Sequence, residues 1–181
     1  MGHLWCIIKA SQMVDVLFVV VTYDDEWDKQ LCKNTKFKWV DHSVRERWIT
    51  KSVKDLPNVR VLSVYEKRFK NWHNRPEIHE STKKLIESVG GKIDIVFSSE
   101  NEYDEYFKEY FPNTKHIVLD PERKVVNISA TEIRKAGVYK LWDYLPKSVQ
   151  EYYTKRVCLS GIESSGKSTL TKILATLYNT N

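Results

Sequence analysis

Asn127-Ile128-Ser129-Ala130-Thr131-Glu132-Ile133-Arg134 is the stretch on which the reading of this chain turns. An apolar run, Ile117 to Leu119, precedes it and reads as a strand that Asp120-Pro121 ends. Ser129 then offers an N-cap hydroxyl with Glu132 three residues on, the spacing of a capping box. A helix opening there directs free backbone N–H groups outward, and its dipole favours an anion. Arg134 lies further along, where its guanidinium fork can reach back and grip phosphate in two places. Ser129, Thr131 and Arg134 therefore form a candidate pocket for a triphosphate tail. The same spacing also fits an ordinary capped helix with an arginine in solvent.

A second stretch points to phosphate more sharply. Gly161-Ile162-Glu163-Ser164-Ser165-Gly166-Lys167-Ser168, followed by Thr169, fits the G-x-x-x-x-G-K-[ST] P-loop. It follows an apolar run, Val157 to Leu159, and leads into a helical pattern from Leu170 to Tyr178, the strand–loop–helix context the motif needs. Only about a dozen residues follow Ser168. Phosphoryl transfer needs a full parallel sheet, an acidic Mg²⁺ ligand and a substrate pocket, which those residues are too few to build.

Working outward, strands and helices alternate. A helix over Leu4 to Met13 leads into Val16 to Thr22, a continuous β-branched run of the kind buried on both faces. Asp24 to Asp41 is polar and reads as a long loop, with Lys36, Lys38, Arg45 and Arg47 near its end. A helix over Ser43 to Val53 and a strand over Val59 to Val64 follow. Tyr65 to Asn74 is a polar loop holding Arg68 and Trp72. Pro76 opens a helix that Gly90-Gly91 closes. Ile93 to Phe97 is a strand running into Ser98-Ser99-Glu100, Glu102 to Tyr110 a helix, and Lys115 to Leu119 a fourth strand. Leu141 to Tyr153 reads as a proline-containing helix and Arg156 to Ser160 as a fifth strand. This alternation predicts an α/β fold with a doubly wound, mostly parallel sheet. Ligands in such sheets sit beyond the carboxyl ends of the strands, so Tyr23, Ser98 to Glu100 and Asp120 to Arg134 would share one crevice.

Composition narrows the classes. The chain has 181 residues, 41% of them hydrophobic and 29% charged, which suits one soluble domain. A net charge of +5 suits anionic ligands such as nucleotides, and equally a mildly basic surface with no role. Cys6, Cys32 and Cys158 form no CxxC pair and are odd in number, which fits a reduced, cytoplasmic protein better than a disulfide or zinc framework. The longest apolar run, Val16 to Val21, is too short to span a membrane. No secretory signal and no helix-turn-helix pattern is read, so neither a membrane nor a nucleic-acid partner is expected.

The order of motifs resembles the NadR-like bifunctional family, a nicotinamide-mononucleotide adenylyltransferase followed by a ribosylnicotinamide kinase. Asp94-Ile95-Val96-Phe97-Ser98-Ser99-Glu100 is similar to that family's strand and SSE-type turn. Asp120-Pro121-Glu122-Arg123 through Arg134 resembles its ISxTxxR signature. Leu141-Trp142-Asp143-Tyr144-Leu145-Pro146 resembles the segment joining its domains, and Gly161 to Thr169 its kinase P-loop. The family's first motif, a strand and a G-x-F-x-P-x-[HT]-x-G-H loop, is represented here by Gly2-His3 alone. The resemblance therefore implies a Rossmann-like nucleotidyltransferase of the HxGH type over residues 1–154, truncated so that its first strand is missing. Residues 155–181 would begin a truncated P-loop kinase domain. A chain so truncated is expected to be poorly stable and weakly active.

The resemblance also implies chemistry. AMP would pass from ATP to nicotinamide mononucleotide, giving NAD and pyrophosphate, with Mg²⁺ travelling with ATP. The attacking phosphate is already nucleophilic, so catalysis would be positioning and charge stabilisation. His3 matches the last histidine of the first motif and would contact ATP phosphates. Ser129 and Arg134 would hold the β- and γ-phosphates, with Thr131 in the same signature. Ser99 and Glu100 would line the crevice. Trp72 would stack on the nicotinamide ring, or pack as a loop aromatic on the sheet edge. Arg123 and Arg47 would meet the mononucleotide phosphate, or stand as surface arginines. In the P-loop, with Gly161, Gly166 and Thr169, Lys167 would bind β/γ-phosphate and Ser168 would ligate Mg²⁺. Family members commonly assemble, so a homo-oligomer is an expectation. Other readings are a non-catalytic nucleotide-binding remnant, another HxGH-type nucleotidyltransferase, and a nucleotide-binding regulatory module.

Overall fold

Two parallel strand pairs, each closed by helices, build the described part of the chain. The computed structural model describes residues 1–68, 83, 84, 87 and 92–178. Helix α1, Gly2–Ser11, leads into β1, Leu17–Tyr23. Helices α2, Asp25–Cys32, and α3, His42–Ser52, then carry the chain to β2, Val59–Tyr65. β1 and β2 pair in parallel from Leu17 opposite Val59 to Tyr23 opposite Tyr65. Parallel pairing needs such a crossover, and α3 packs back on both strands. The second pair repeats the plan. β3, Ile95–Ser98, α4, Tyr103–Tyr110, and β4, Lys115–Val118, run from Ile95 opposite Lys115 to Ser98 opposite Val118. Helix α5, Ala130–Ala136, a 3₁₀ turn at Trp142–Tyr144, α6, Lys147–Tyr153, and α7, Lys167–Tyr178, complete the order.

The main apolar cluster lies where α3, α5 and α6 meet. Val138, Leu145 and Val149 are buried in it, with Phe37, Trp48, Ile133, Trp142 and Tyr153 packed around them. A polar clamp fixes α6 on α3. The Ser148 hydroxyl donates to the Trp48 carbonyl at 2.9 Å and lies 2.8 Å from the Ser52 hydroxyl. Ser148 is buried, so these bonds offset its desolvation.

Mixed α/β architecture with parallel strands is as the alternation predicts, and several local expectations change. Among the described residues, the two strand pairs are not hydrogen-bonded to each other. β1 is therefore not sealed on both faces: Val21 is buried but Val20 is 40% exposed. Residues 24–41 are not loop throughout, because Asp24 caps α2 by accepting from the Trp27 N–H at 3.2 Å. Asp25, Glu26 and Asp28 in its first turn suit the helix dipole. Leu141 to Tyr153 is split by Pro146, which cannot continue the 3₁₀ turn but starts α6. Residues 156–160 form no strand, and Val157 is 79% exposed. An extended run without a neighbour has no ladder to satisfy its backbone. The helix expected between Pro76 and Gly90, most of the loop before it, and Trp72 lie outside the described residues. Among those described, no helix is long and apolar enough to cross a membrane.

Candidate functional site

The Ser129 turn forms as its spacing predicts. The Glu132 N–H donates to the Ser129 hydroxyl oxygen at 3.1 Å, and the Ser129 N–H donates to the Glu132 carboxylate at 2.7 Å. Two otherwise orphaned donors at the start of α5 are thus satisfied reciprocally. The Ser129 hydroxyl, donating to the Glu132 carboxylate at 2.6 Å, and then the Ser129 N–H hold that carboxyl below its usual range. One turn on, the Arg134 guanidinium donates to the Thr131 hydroxyl at 3.1 Å. The Arg134 carbonyl accepts from the Lys36 N–H at 3.1 Å, tying α5 to the segment after α2. Gly137, at φ +90°, lets that segment approach: a Cβ there would lie 3.2 Å from the Lys36 Cβ. The same segment lines a depression of about 430 Å³ with Lys29, Lys33, Lys38, Phe37 and Trp39.

Ahead of Ser129, the chain turns sharply after β4. The Asp120 carboxylate accepts the Lys124 and Val125 N–H groups at 2.8 and 3.1 Å. Asp120 and Arg123 both hold positive φ, 50° and 51°, a conformation that Asp tolerates through its local bonds and that is uncommon for a side chain as long as Arg. The turn aims Arg123 back across the site, its guanidinium 3.6 Å from the Glu100 carboxylate. His3, in the first turn of α1, lies in reach of the same charges. Its pKa is lowered, first by desolvation from neighbouring atoms and then by the N-terminal charge and Arg123, with Glu100 opposing, although the residue as a whole is exposed. The N-terminal ammonium anchors α1 by donating to the Tyr144 carbonyl at 2.8 Å. His3, Glu100, Arg123 and the Ser129–Glu132 box are thus brought together, with Ser99 half-buried beside Glu100. Arg47 stands exposed on α3, where its neighbour Arg45 instead pairs with Asp28 at 2.7 Å.

The far end of β1 adds residues that the motifs did not single out. The buried Asp24 carboxylate accepts the Arg68 N–H at 2.9 Å, and the Arg68 guanidinium donates to the Thr22 hydroxyl at 3.1 Å. The Arg68 N–H is the main cause holding the Asp24 carboxyl low. Asp25, Asp41 and His42 come within 4.8 Å of one another nearby. They sit where the N-termini of α2 and α3 converge, and the carboxylates offset those dipoles. A cue for Asp24 was available in the sequence, since Asp followed by an acidic turn is an N-cap signal. None existed for Arg68, which depends on strand register.

In the P-loop, Lys167 folds back on its own loop. Its ammonium donates to the Gly161 carbonyl at 2.8 Å, and to the Ile162 carbonyl. Gly166 and Ser164 take positive φ, 77° and 59°. Ser168 and Thr169 follow, exposed at the start of α7. The Ser168 hydroxyl is a hard oxygen donor that fits Mg²⁺, an ion usually held by one or two protein oxygens plus phosphates and water.

Parallel βαβ units with an anion-suited turn beyond the strand ends define a mixed α/β protein of the Rossmann-like kind. No protein-family model matches the chain. It is 28% identical over 181 residues to the trifunctional NAD biosynthesis/regulator protein NadR of Escherichia coli, covering 99% of this chain and 44% of that protein. To the NadR of Salmonella typhimurium it is 29% identical over the same share. A crystal structure of NadR in complex with NR superposes with a TM-score of 0.71 at 22% identity, over 97% of this chain and 48% of that one. NadR in complex with NAD and AMP-PNP gives 0.71 at 23%, over 98% and 50%. The chain is NadR-like, and it spans less than half the length of the curated relatives it matches.

Proposed function

We propose that this chain binds ATP and nicotinamide mononucleotide at the crevice around Ser129 and carries the adenylyl-transfer half of a NadR-like enzyme, yielding NAD and pyrophosphate. Residues 1–154 would be the nucleotidyltransferase domain and residues 155–181 the start of a ribosylnicotinamide kinase domain. The observation that carries this reading is the convergence of His3, Glu100 and Arg123 on the Ser129–Glu132 box in a chain similar to NadR throughout. Arg134, together with Ser129 and Thr131 of the same turn, would hold the β- and γ-phosphates. His3 would meet the phosphates near the reacting centre, where an imidazole N–H can donate a hydrogen bond to them. Arg123 and Arg47 would take the mononucleotide phosphate, Ser99 and Glu100 would line the crevice, and Trp72 would stack on the nicotinamide ring. Mg²⁺ bound with ATP would supply charge neutralisation at the leaving pyrophosphate. In the P-loop, Lys167 would exchange its loop carbonyls for phosphate, with Ser168 as the metal ligand. The reduced cysteines support a cytoplasmic protein, and assembly into a homo-oligomer follows the family.

Formation of NAD from ATP and nicotinamide mononucleotide tests this. Arg134→Ala is expected to slow it about 10²-fold or more, the usual cost of one charge-stabilising donor. An unchanged rate removes the Ser129–Arg134 assignment. A non-catalytic nucleotide-binding reading is favoured by one observation: among the described residues, the two strand pairs share no hydrogen-bond ladder. Nothing of that kind then holds the two sides of the crevice in register. Binding of AMP-PNP with no NAD formed would select that reading.

A further inference from the structure

Ser98, Asp104 and His116 are separated in sequence and meet under the crevice. Ser98 ends β3, Asp104 lies in the first turn of α4, and His116 is the second residue of β4. Val96 faces His116 in the register, so Ser98, two residues on, projects to the same face as the imidazole. His116 Nε2 is 2.8 Å from the Ser98 hydroxyl, and His116 Nδ1 is 3.2 Å from the Asp104 carboxylate. The histidine side chain is 3% exposed, with the Phe107 ring 4.9 Å away. Lys108 pairs with the other Asp104 oxygen at 2.5 Å, holding that carboxylate charged. Both ring nitrogens of a buried imidazole are therefore engaged by fixed partners.

The Ser98 hydroxyl reaches further. It lies 3.0 Å from the Glu100 carbonyl and accepts the Glu100 N–H at 3.3 Å. It thus closes the turn that carries Ser99 and points Glu100 toward Arg123. A hydroxyl has one proton to give. With Asp104 accepting the Nδ1 proton, Nε2 is the acceptor and takes the Ser98 proton at 2.8 Å in place of the Glu100 carbonyl at 3.0 Å, so the bond the hydroxyl keeps to the turn is the one it accepts from the Glu100 N–H. Its oxygen is then left with lone pairs for the Glu100 N–H. The carboxylate fixes the tautomer, the tautomer fixes the hydroxyl, and the hydroxyl fixes the turn.

We propose that His116 is a positioning residue for the nucleotide crevice, held by Asp104 and acting through the Ser98 hydroxyl on the Ser98–Glu100 turn. The proposal rests on the crevice reading above, and two measurements keep the two separable. The first needs no ligand: imidazole ¹⁵N NMR of the whole chain. It should show His116 protonated on Nδ1, with an Nε2 resonance that moves in Ser98→Ala and stays in Ser98→Thr. An Nε2–H tautomer, or an Nε2 signal indifferent to Ser98→Ala, overturns the relay whatever the chain binds.

The second measurement is AMP-PNP affinity by calorimetry, read beside the thermal midpoint. His116→Phe keeps an aromatic ring against Phe107, and Ser98→Ala keeps the strand. Both are expected to weaken AMP-PNP about tenfold, more than any loss of folded fraction explains, while Ser98→Thr binds like the parent. Affinity unchanged in both His116→Phe and Ser98→Ala overturns the positioning role. A parent chain that binds no AMP-PNP overturns the crevice reading, and with it the nucleotide half of this proposal. The tautomer result then decides whether the relay sets the turn.

Discussion

Leu145 and Leu177 are the same residue in two regions with opposite fates. Leu145 is 6% exposed, wedged with Val138 and Val149 between α3, α5 and α6. Leu177 is 70% exposed on α7, where none of the residues is buried. Yet the P-loop ahead of α7 is fully shaped, with its positive-φ glycine and its lysine seated on loop carbonyls. The contrast separates two kinds of information. Turn and cap geometry is written in a few adjacent residues and forms without a core. Burial needs partners far away in sequence, and α7 has none among the described residues that bury its apolar side.

Mutations can break or sharpen that contrast. The largest expected effect is Leu145→Ala, which should cost about 2–5 kcal/mol in urea unfolding, whereas Leu177→Ala should leave the same curve within about 0.5 kcal/mol. Equal losses would mean that α7 is packed in solution. Next come the hydroxyls. Ser129→Ala removes one side of a capping box and should cost about 1 kcal/mol. Ser165→Ala deletes a bond to the Ile162 carbonyl in the P-loop and should leave the unfolding midpoint in place.

A gain is expected at Tyr153. Its hydroxyl is buried with no hydrogen-bond partner, and burial first, then Tyr152, pushes its pKa up to about 12. The folded chain therefore holds this proton longer than the unfolded one, and stability falls as pH rises from about 10 toward about 12. Tyr153→Phe should raise the neutral-pH unfolding free energy by about 1 kcal/mol and remove that alkaline fall, both read in unfolding curves. The shallowest effect lies on the acid side. The Asp24 carboxyl is held low, so its contribution is present above the ordinary carboxylate range and lost as pH falls through its folded value. Asp24→Asn should flatten the acid limb of a stability–pH curve.

The parts of the fold that read correctly from sequence were those with local causes. The Ser129–Glu132 box depends on two residues three apart, and α4 on an acidic, aromatic run ended before Pro112. Helix α2 reads as loop because Asp25 to Cys32 is mostly polar; its few apolar residues, Trp27 and Leu31, stand one turn apart, and its cap and first-turn acids hold it. Residues 156–160 were misread as a strand because an apolar run specifies extension but not a neighbour. The site divides along the same line. Ser129, Thr131 and Arg134 follow from spacing, whereas Arg123 meeting Glu100 depends on two positive-φ turns. The contact between Ser98 and His116 depends on parallel register, which no local pattern encodes.

The paired strands also govern how this protein behaves in a tube. Each has one hydrogen-bonded neighbour among the described residues, and Leu17-Phe18-Val19-Val20-Val21-Thr22-Tyr23 carries no charge along its length. An uncharged, β-branched edge is a template for another copy of itself. What keeps copies apart is the net charge of +5, and that repulsion is only as long as the Debye length, about 10 Å at 0.1 M salt and about 3 Å at 1 M. Concentrated stocks should therefore stay clear in dilute buffer well below pH 9.0 and turn turbid as salt is added or that pH is approached.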